Sequence, residues 1–142
     1  MNNNISEDFL KLQEISYEIG SNLDLIQGAG GNTSLKENGV LWVKASGCWL
    51  SDAIKNDIFV PINNQEAVES IKIGNINNID VIGGHSGSEL SLRPSIETAL
   101  HALMPHKFVL HVHAVNTISI SVLSDGKTIA NNLLKDINWA WI

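Results

Sequence analysis

Cysteine is nearly missing from this chain. Cys48 is the only one among 142 residues, so no internal disulfide can form, which fits the reducing environment of the cytoplasm. Basic residues are also few. Nine Lys and Arg stand against fifteen Asp and Glu, in no cluster, and the net charge of −6 argues against nonspecific nucleic-acid binding. No apolar run approaches the ~20 residues needed to cross a bilayer, so no membrane engagement is expected. The first residues, Met-Asn-Asn-Asn-Ile-Ser-Glu-Asp, have no basic flank ahead of an apolar core and do not read as a secretory signal. Proline occurs only at Pro61, Pro94 and Pro105, which makes each one informative. Apolar residues, in contrast, are plentiful. With 44% hydrophobic and 17% charged residues, the chain is too apolar for a disordered segment, and residues 1–142 are expected to form one globular domain or part of a larger one.

The most informative stretch is residues 93–117. Pro94 at a first helical position and Pro105 as a stop would bracket a short helix carrying Glu97 and His101. Residues 107–115 then read as an apolar strand interrupted by His111 and His113. Side chains two apart on a strand share a face, so this His-x-His sets two imidazoles side by side, as a first-row metal ion requires. Glu97 could join them as an oxygen ligand or act as a base. The spacing alone is equally compatible with two packed, hydrogen-bonded rings.

Elsewhere Ser6 is a fair N-cap for a helix with Glu7 and Asp8 in its first turn, apolar residues at helical spacing from Phe9 to Ile19, and Gly20 at its end. Gly28-Ala29-Gly30-Gly31-Asn32-Thr33-Ser34 has the chemistry of an anion cradle, with inward backbone N–H groups and side-chain donors. Neither the P-loop nor the dinucleotide spacing is present, and an ordinary glycine-rich turn fits as well. Asn38-Gly39 predicts a hairpin between strands at 33–36 and 40–45. The second strand leads into another small-residue turn, Ser46-Gly47, which the hairpin could return to the side of 30–32. Lys44 there could neutralise a phosphate or be a solvated strand residue. Cys48 reads as a small packed residue. Residues 58–62 predict a strand kept at the sheet edge by Pro61, followed by a short helix over 65–71. Residues 74–92 predict a long loop in which His85 is solvent-exposed and not a ligand. Two helices, 116–123 and 128–137, precede an apolar strand at 138–142, whose abrupt stop is expected of a chain continuing beyond it.

Taken together these segments resemble the class II aldolase/adducin family of zinc-dependent sugar-phosphate aldolases and their epimerase relatives. Four motifs in order carry the resemblance: Gly30-Gly31-Asn32-Thr33-Ser34, Ser46-Gly47, Pro94-Ser95-Ile96-Glu97 and His111-Val112-His113. It implies an α/β fold, a three-layer α/β/α domain with a mixed, largely antiparallel central sheet. It also implies a carbon–carbon lyase that cleaves a ketose phosphate or hydroxy-ketone through a zinc-stabilised enediolate. His111 and His113 would hold Zn²⁺ or another divalent metal, and Glu97 would move the proton. Gly31, Asn32, Ser46, Gly47 and Ser95 would bind the substrate phosphate. The partners implied are a small sugar phosphate and further copies of the chain, with no organic cofactor. A 4-epimerase or a non-catalytic adducin-like interaction domain are the alternatives the same resemblance allows. Two departures stand out. The family's third histidine has no counterpart after His113, so the ligand set is expected to be incomplete and zinc binding weak. Ile96 stands where phosphate-binding members often have serine, which removes one donor.

Overall fold

The computed structural model describes residues 5–75, 79, 81–82 and 92–141. Helix α1 spans Glu7–Gly20; Ser6 Oγ accepts from the Phe9 N–H at 3.1 Å, the cap expected from sequence. Gly20 ends the helix because its turn lies against a 3-10 turn at Leu50–Asp52: a Cβ there would fall 2.4 Å from the Ser51 nitrogen. Strand β1 (Asn32–Glu37) turns through Asn38 and Gly39, at φ of 52° and 80°, into β2 (Val40–Lys44). Both positive φ values match the twist of a tight hairpin, which explains why Asn-Gly occupies them. Strand β3 (Phe59–Asn63) is the last strand of the sheet, with only the single Ile62–Val81 bridge on its outer side, so Pro61 sits on an edge as expected. Helices α2 (Asn64–Lys72) and α3 (Thr98–Leu103), strand β4 (Phe108–His111) and helices α4 (Val115–Ser121) and α5 (Gly126–Leu133) follow.

The sheet order is β3-β2-β1-β4, and every pair among these strands is antiparallel. Strand alternation sorts the apolar side chains into two cores. Leu35 and Phe59 pack with Leu12 of α1 and with Ile26 and Leu50 on one face. Leu41, Val43, Val60 and Ile62 pack with Ala67 of α2 and Ala102 of α3 on the other. Helix, sheet, helix: the chain has the three layers of an α/β fold.

Four local expectations differ from the structure. Pro94 does not open α3; it forms an antiparallel bridge with Ala45, and the helix begins at Thr98 with Glu97 in the N-cap position. An extended Pro94 keeps the backbone against β2, where Ser46 N–H donates to Arg93 O at 2.9 Å. The strand expected over 107–115 stops at His111, because the following backbone bonds to the residues just ahead of the glycine-rich turn instead, His113 N–H donating to Leu25 O at 2.8 Å. Helix α5 starts and ends earlier than 128–137. The strand expected at 138–142 is not formed among the described residues: 138–141 is irregular and no neighbouring strand pairs with it. His85 lies outside the described residues. No helix among them is long and apolar enough to cross a membrane.

Candidate active site

Three chain segments end at the same edge of the sheet, and their ends build one site. The register that opposes Asn32 of β1 to His111 of β4 brings the glycine-rich turn beside the His-x-His pair. Gly31, at φ 65°, approaches so closely that a Cβ would meet Ile26 Cδ1 at 2.2 Å and His111 O at 2.8 Å. A Cβ on Gly30 would lie 2.9 Å from His113 Nδ1. Close packing against Ile26 and the backbone and ring of the two histidines thus requires glycine at both positions.

His111 and His113 lie with ring centroids 5.0 Å apart, edge to face. Glu97, on the turn before α3, brings Oε1 to 2.6 Å from His111 Nδ1. That contact is off the line of a hydrogen bond, and Nδ1 has no other partner although the atom is buried. One donor atom from each of Glu97, His111 and His113 lies within 4.8 Å of the others. Two imidazoles and a carboxylate are a familiar donor set for zinc and related divalent ions, and three ligands leave a coordination position open. The orphaned, crowded Nδ1 is what a shared cation would satisfy, so the residues fit the group. Glu97 is thus a third potential donor beside the two histidines, at the place in the set that the missing histidine had left open.

The remaining expected residues gather around this cluster. Asn32 is fully buried, yet both atoms of its amide lack partners. Ser46 and Gly47 are exposed, with Gly47 at φ 79°, and the Ala45–Pro94 bridge holds their turn beside Ser95. Ser95 Oγ accepts from the Glu97 N–H at 3.3 Å, and Ser95 O accepts from Thr98 N–H and Oγ1–H. Ile96 points its side chain outward, 94% exposed, and offers no donor.

Two residues matter more than their sequence context showed. Lys44 is not solvated: it is buried, and its ammonium donates to Ala29 O at 3.1 Å and Cys48 O at 2.8 Å. It therefore ties the glycine-rich turn to the Ser46-Gly47 turn. Burial pulls its pKa below the usual lysine value, opposed by the Cys48 and Glu97 charges, and burial pushes the Cys48 thiol up. Lys44→Met is expected to cost on the order of 1–3 kcal/mol, because two backbone carbonyls lose their charged donor. An unchanged denaturation midpoint in urea would show that this tie carries no weight.

His101 is the second. It is fully buried, and Nδ1 lies 2.7 Å from Ser34 Oγ. Lys36, whose own pKa burial lowers, donates to His101 O and Met104 O at 2.6 Å each and closes the end of α3. Burial is the main cause that lowers His101 to about 4; Glu97 opposes it, while His111 and Lys36 add to it. The unfolded ring takes its proton near 6.5 and the folded ring does not. Stability is therefore full above that pH and lost as pH falls toward about 4. Melting temperature should fall more steeply across this window in the native sequence than in His101→Gln, and equal slopes would refute it. The sequence signal was the four-residue step from Glu97 to His101.

Residues 11–139 match the family model described as the Class II Aldolase and Adducin N-terminal domain. The Bacillus subtilis (strain 168) protein named "Uncharacterized oxidoreductase YuxG" is 30% identical over 150 aligned residues, covering 92% of this chain and 21% of that protein. The chain thus spans about a fifth of that curated relative's length. The solved N-terminal class II aldolase domain of a conserved Thermoplasma acidophilum protein superposes with a TM-score of 0.71 at 30% identity, covering 94% of this chain and 70% of that one.

Proposed function

From the premise that this chain belongs to the class II aldolase/adducin family, we propose that it carries a metal-dependent lyase site that cleaves a ketose phosphate or hydroxy-ketone in the cytoplasm. The observation that supports this best is the Glu97, His111 and His113 cluster, with donor atoms within 4.8 Å of one another at the sheet edge. His111 and His113 would hold the divalent cation, zinc by the chemistry of the donors, and Glu97 would hold it only until substrate arrives and frees the carboxylate. When bound, it supplies Lewis-acid stabilisation of the charge that develops on the substrate carbonyl.

The protein's own groups divide the remaining work. A carboxylate within 2.6 Å of a ligand imidazole is placed to take the proton from the hydroxyl on one carbon of the breaking bond and to pass a proton to the enediolate carbon that cleavage leaves, which releases the ketone product. Glu97 Oε1 is that base. Gly31 and Gly47 let the backbone turn close around an anion, while the Asn32 amide, Ser46 and Ser95 supply donors. Lys44 keeps the two turns at a fixed spacing. With Ile96 outside, the anion has fewer side-chain donors than a serine there would provide. The oxidoreductase name of the Bacillus subtilis relative belongs to a protein of which this chain matches 21%, and the dinucleotide fingerprint spacing does not occur here.

The direct test is aldol cleavage by the full-length protein against a panel of ketose 1-phosphates, read as release of dihydroxyacetone phosphate. Activity lost to a chelator and restored by zinc is expected. No metal-dependent cleavage across phosphorylated and free hydroxy-ketones would overturn the lyase reading. Assembly into homo-oligomers belongs to the same proposal. Apolar side chains left exposed on and after α4, including Ile118, Val122, Leu133 and Trp141, would be covered there. A strictly monomeric protein in sedimentation would count against it.

A further inference from the structure

Among the described residues, five buried side-chain nitrogen and oxygen atoms lack a hydrogen-bond partner. Four of them belong to Asn32, His101 and His111, on the three elements β1, α3 and β4 that carry the site. Native proteins leave few such atoms unpaired, so the concentration asks for a cause. Asn32 and His111 already have one in the proposed anion and metal sites. His101 does not.

Its surroundings are specific. Ser34 stands two residues along β1 from Asn32 and so shares its face, and Asn32 opposes His111 across the strand pair. His101 N–H donates to Glu97 O at 3.1 Å, which sets the imidazole one helical turn beyond the Glu97 side chain. A ring buried this completely is neutral and carries one N–H. The Ser34 hydroxyl decides where that hydrogen is. Its oxygen makes only the His101 bond among the described residues. If Nδ1–H donated to it, the hydroxyl proton would itself be left buried without an acceptor. Nδ1 therefore accepts from Ser34 Oγ–H, and the ring hydrogen lies on Nε2, the atom that has no partner.

We propose that His101 is a positioning residue for Glu97, its Nε2–H being the donor that holds the Glu97 carboxylate while His111 and His113 are committed to the cation. The carboxylate now crowds His111 Nδ1 without a proper hydrogen bond to it. His111 cannot serve a cation and anchor a mobile carboxylate at once, and an unanchored base loses the alignment that proton transfer requires. His101 supplies the second anchor from the same helical face, and Ser34 fixes its tautomer. The role rests on the reading of Glu97 as the proton carrier at a metal site.

Long-range ¹H–¹⁵N correlation on the zinc-loaded full-length protein reads the tautomer directly. The Nε2–H form is expected, with its Nε2 resonance displaced in Glu97→Ala. An Nδ1–H ring, or an Nε2 signal unmoved by Glu97→Ala, overturns the proposal. A second arm separates positioning from packing. The asparagine amide reaches the place of Nδ1 and the glutamine amide that of Nε2. His101→Asn, which keeps the Ser34 bond, is expected to lose turnover on ketose 1-phosphates about 10- to 100-fold at unchanged zinc content, as loss of an outer-sphere partner does. His101→Gln should restore most of it. Rescue by Asn and not by Gln would assign His101 to packing through Ser34. Should either variant fail to fold, the tautomer and its response to Glu97→Ala still decide the matter. If the native protein shows no zinc-dependent cleavage, the lyase reading falls, whereas the tautomer and its response to Glu97→Ala continue to report whether His101 Nε2–H meets the Glu97 carboxylate.

Discussion

Glu97→Gln should lower turnover by about a hundred- to ten-thousandfold, the range that a positioned general acid–base contributes. Glutamine preserves the shape of the side chain and its carbonyl oxygen but cannot take a proton. The Glu97 N–H bond to Ser95 Oγ is made by the backbone, so the turn before α3 should survive the change. Zinc content separates the two uses of the carboxylate. Zinc retained with turnover lost makes Glu97 the base. Zinc lost along with turnover makes it chiefly a ligand, and full activity would remove it from the chemistry altogether. The half-buried setting, with the carboxylate 24% exposed, allows water and substrate to reach it.

The second large effect concerns the two histidines. His111→Ala and His113→Ala should each weaken zinc binding by more than about a hundredfold, because loss of a ligand exceeds the 10- to 100-fold cost of losing an outer-sphere partner. The folded state should tolerate both changes. His111 ends β4 and is 34% exposed, and His113 follows the strand, anchored by its backbone N–H to Leu25 O. A metal that binds only the folded state stabilises it by about 2.7 kcal/mol at a hundredfold excess over Kd. Zinc should therefore raise the melting temperature of the native protein and leave both variants nearly unmoved. A similar rise in all three would place the metal elsewhere and remove the basis of the proposed activity.

Much of this arrangement can be read along the chain. Ser6, the acidic first turn and Gly20 mark α1, since capping and dipole effects act within a few residues. Asn38-Gly39 marks the hairpin, because only such residues take two successive positive φ values cheaply. His111 and His113 announce a shared face through strand alternation, and the rings do lie together. Less legible is anything that depends on a distant partner. Pro94 looks like a helix start until Ala45 pairs with it, and the stretch 138–141 looks like a strand although no edge receives it. Lys44 cannot be told from a solvated lysine without Ala29 and Cys48, two carbonyls that only folding brings to its ammonium.

The sequence by itself therefore determined the local elements, the edge position of Pro61 and the residue types able to hold a metal and an anion. Those follow from backbone preferences and side-chain chemistry, which act at short range. Tertiary structure alone decided that Glu97 meets the histidine pair, that Ser34 meets a histidine 67 residues away, and that Lys44 is buried between two turns. Each depends on the register between β1 and β4 or on the packing of α3 against the sheet. Register and packing are fixed by burying both cores at once, a constraint that no local window of residues contains.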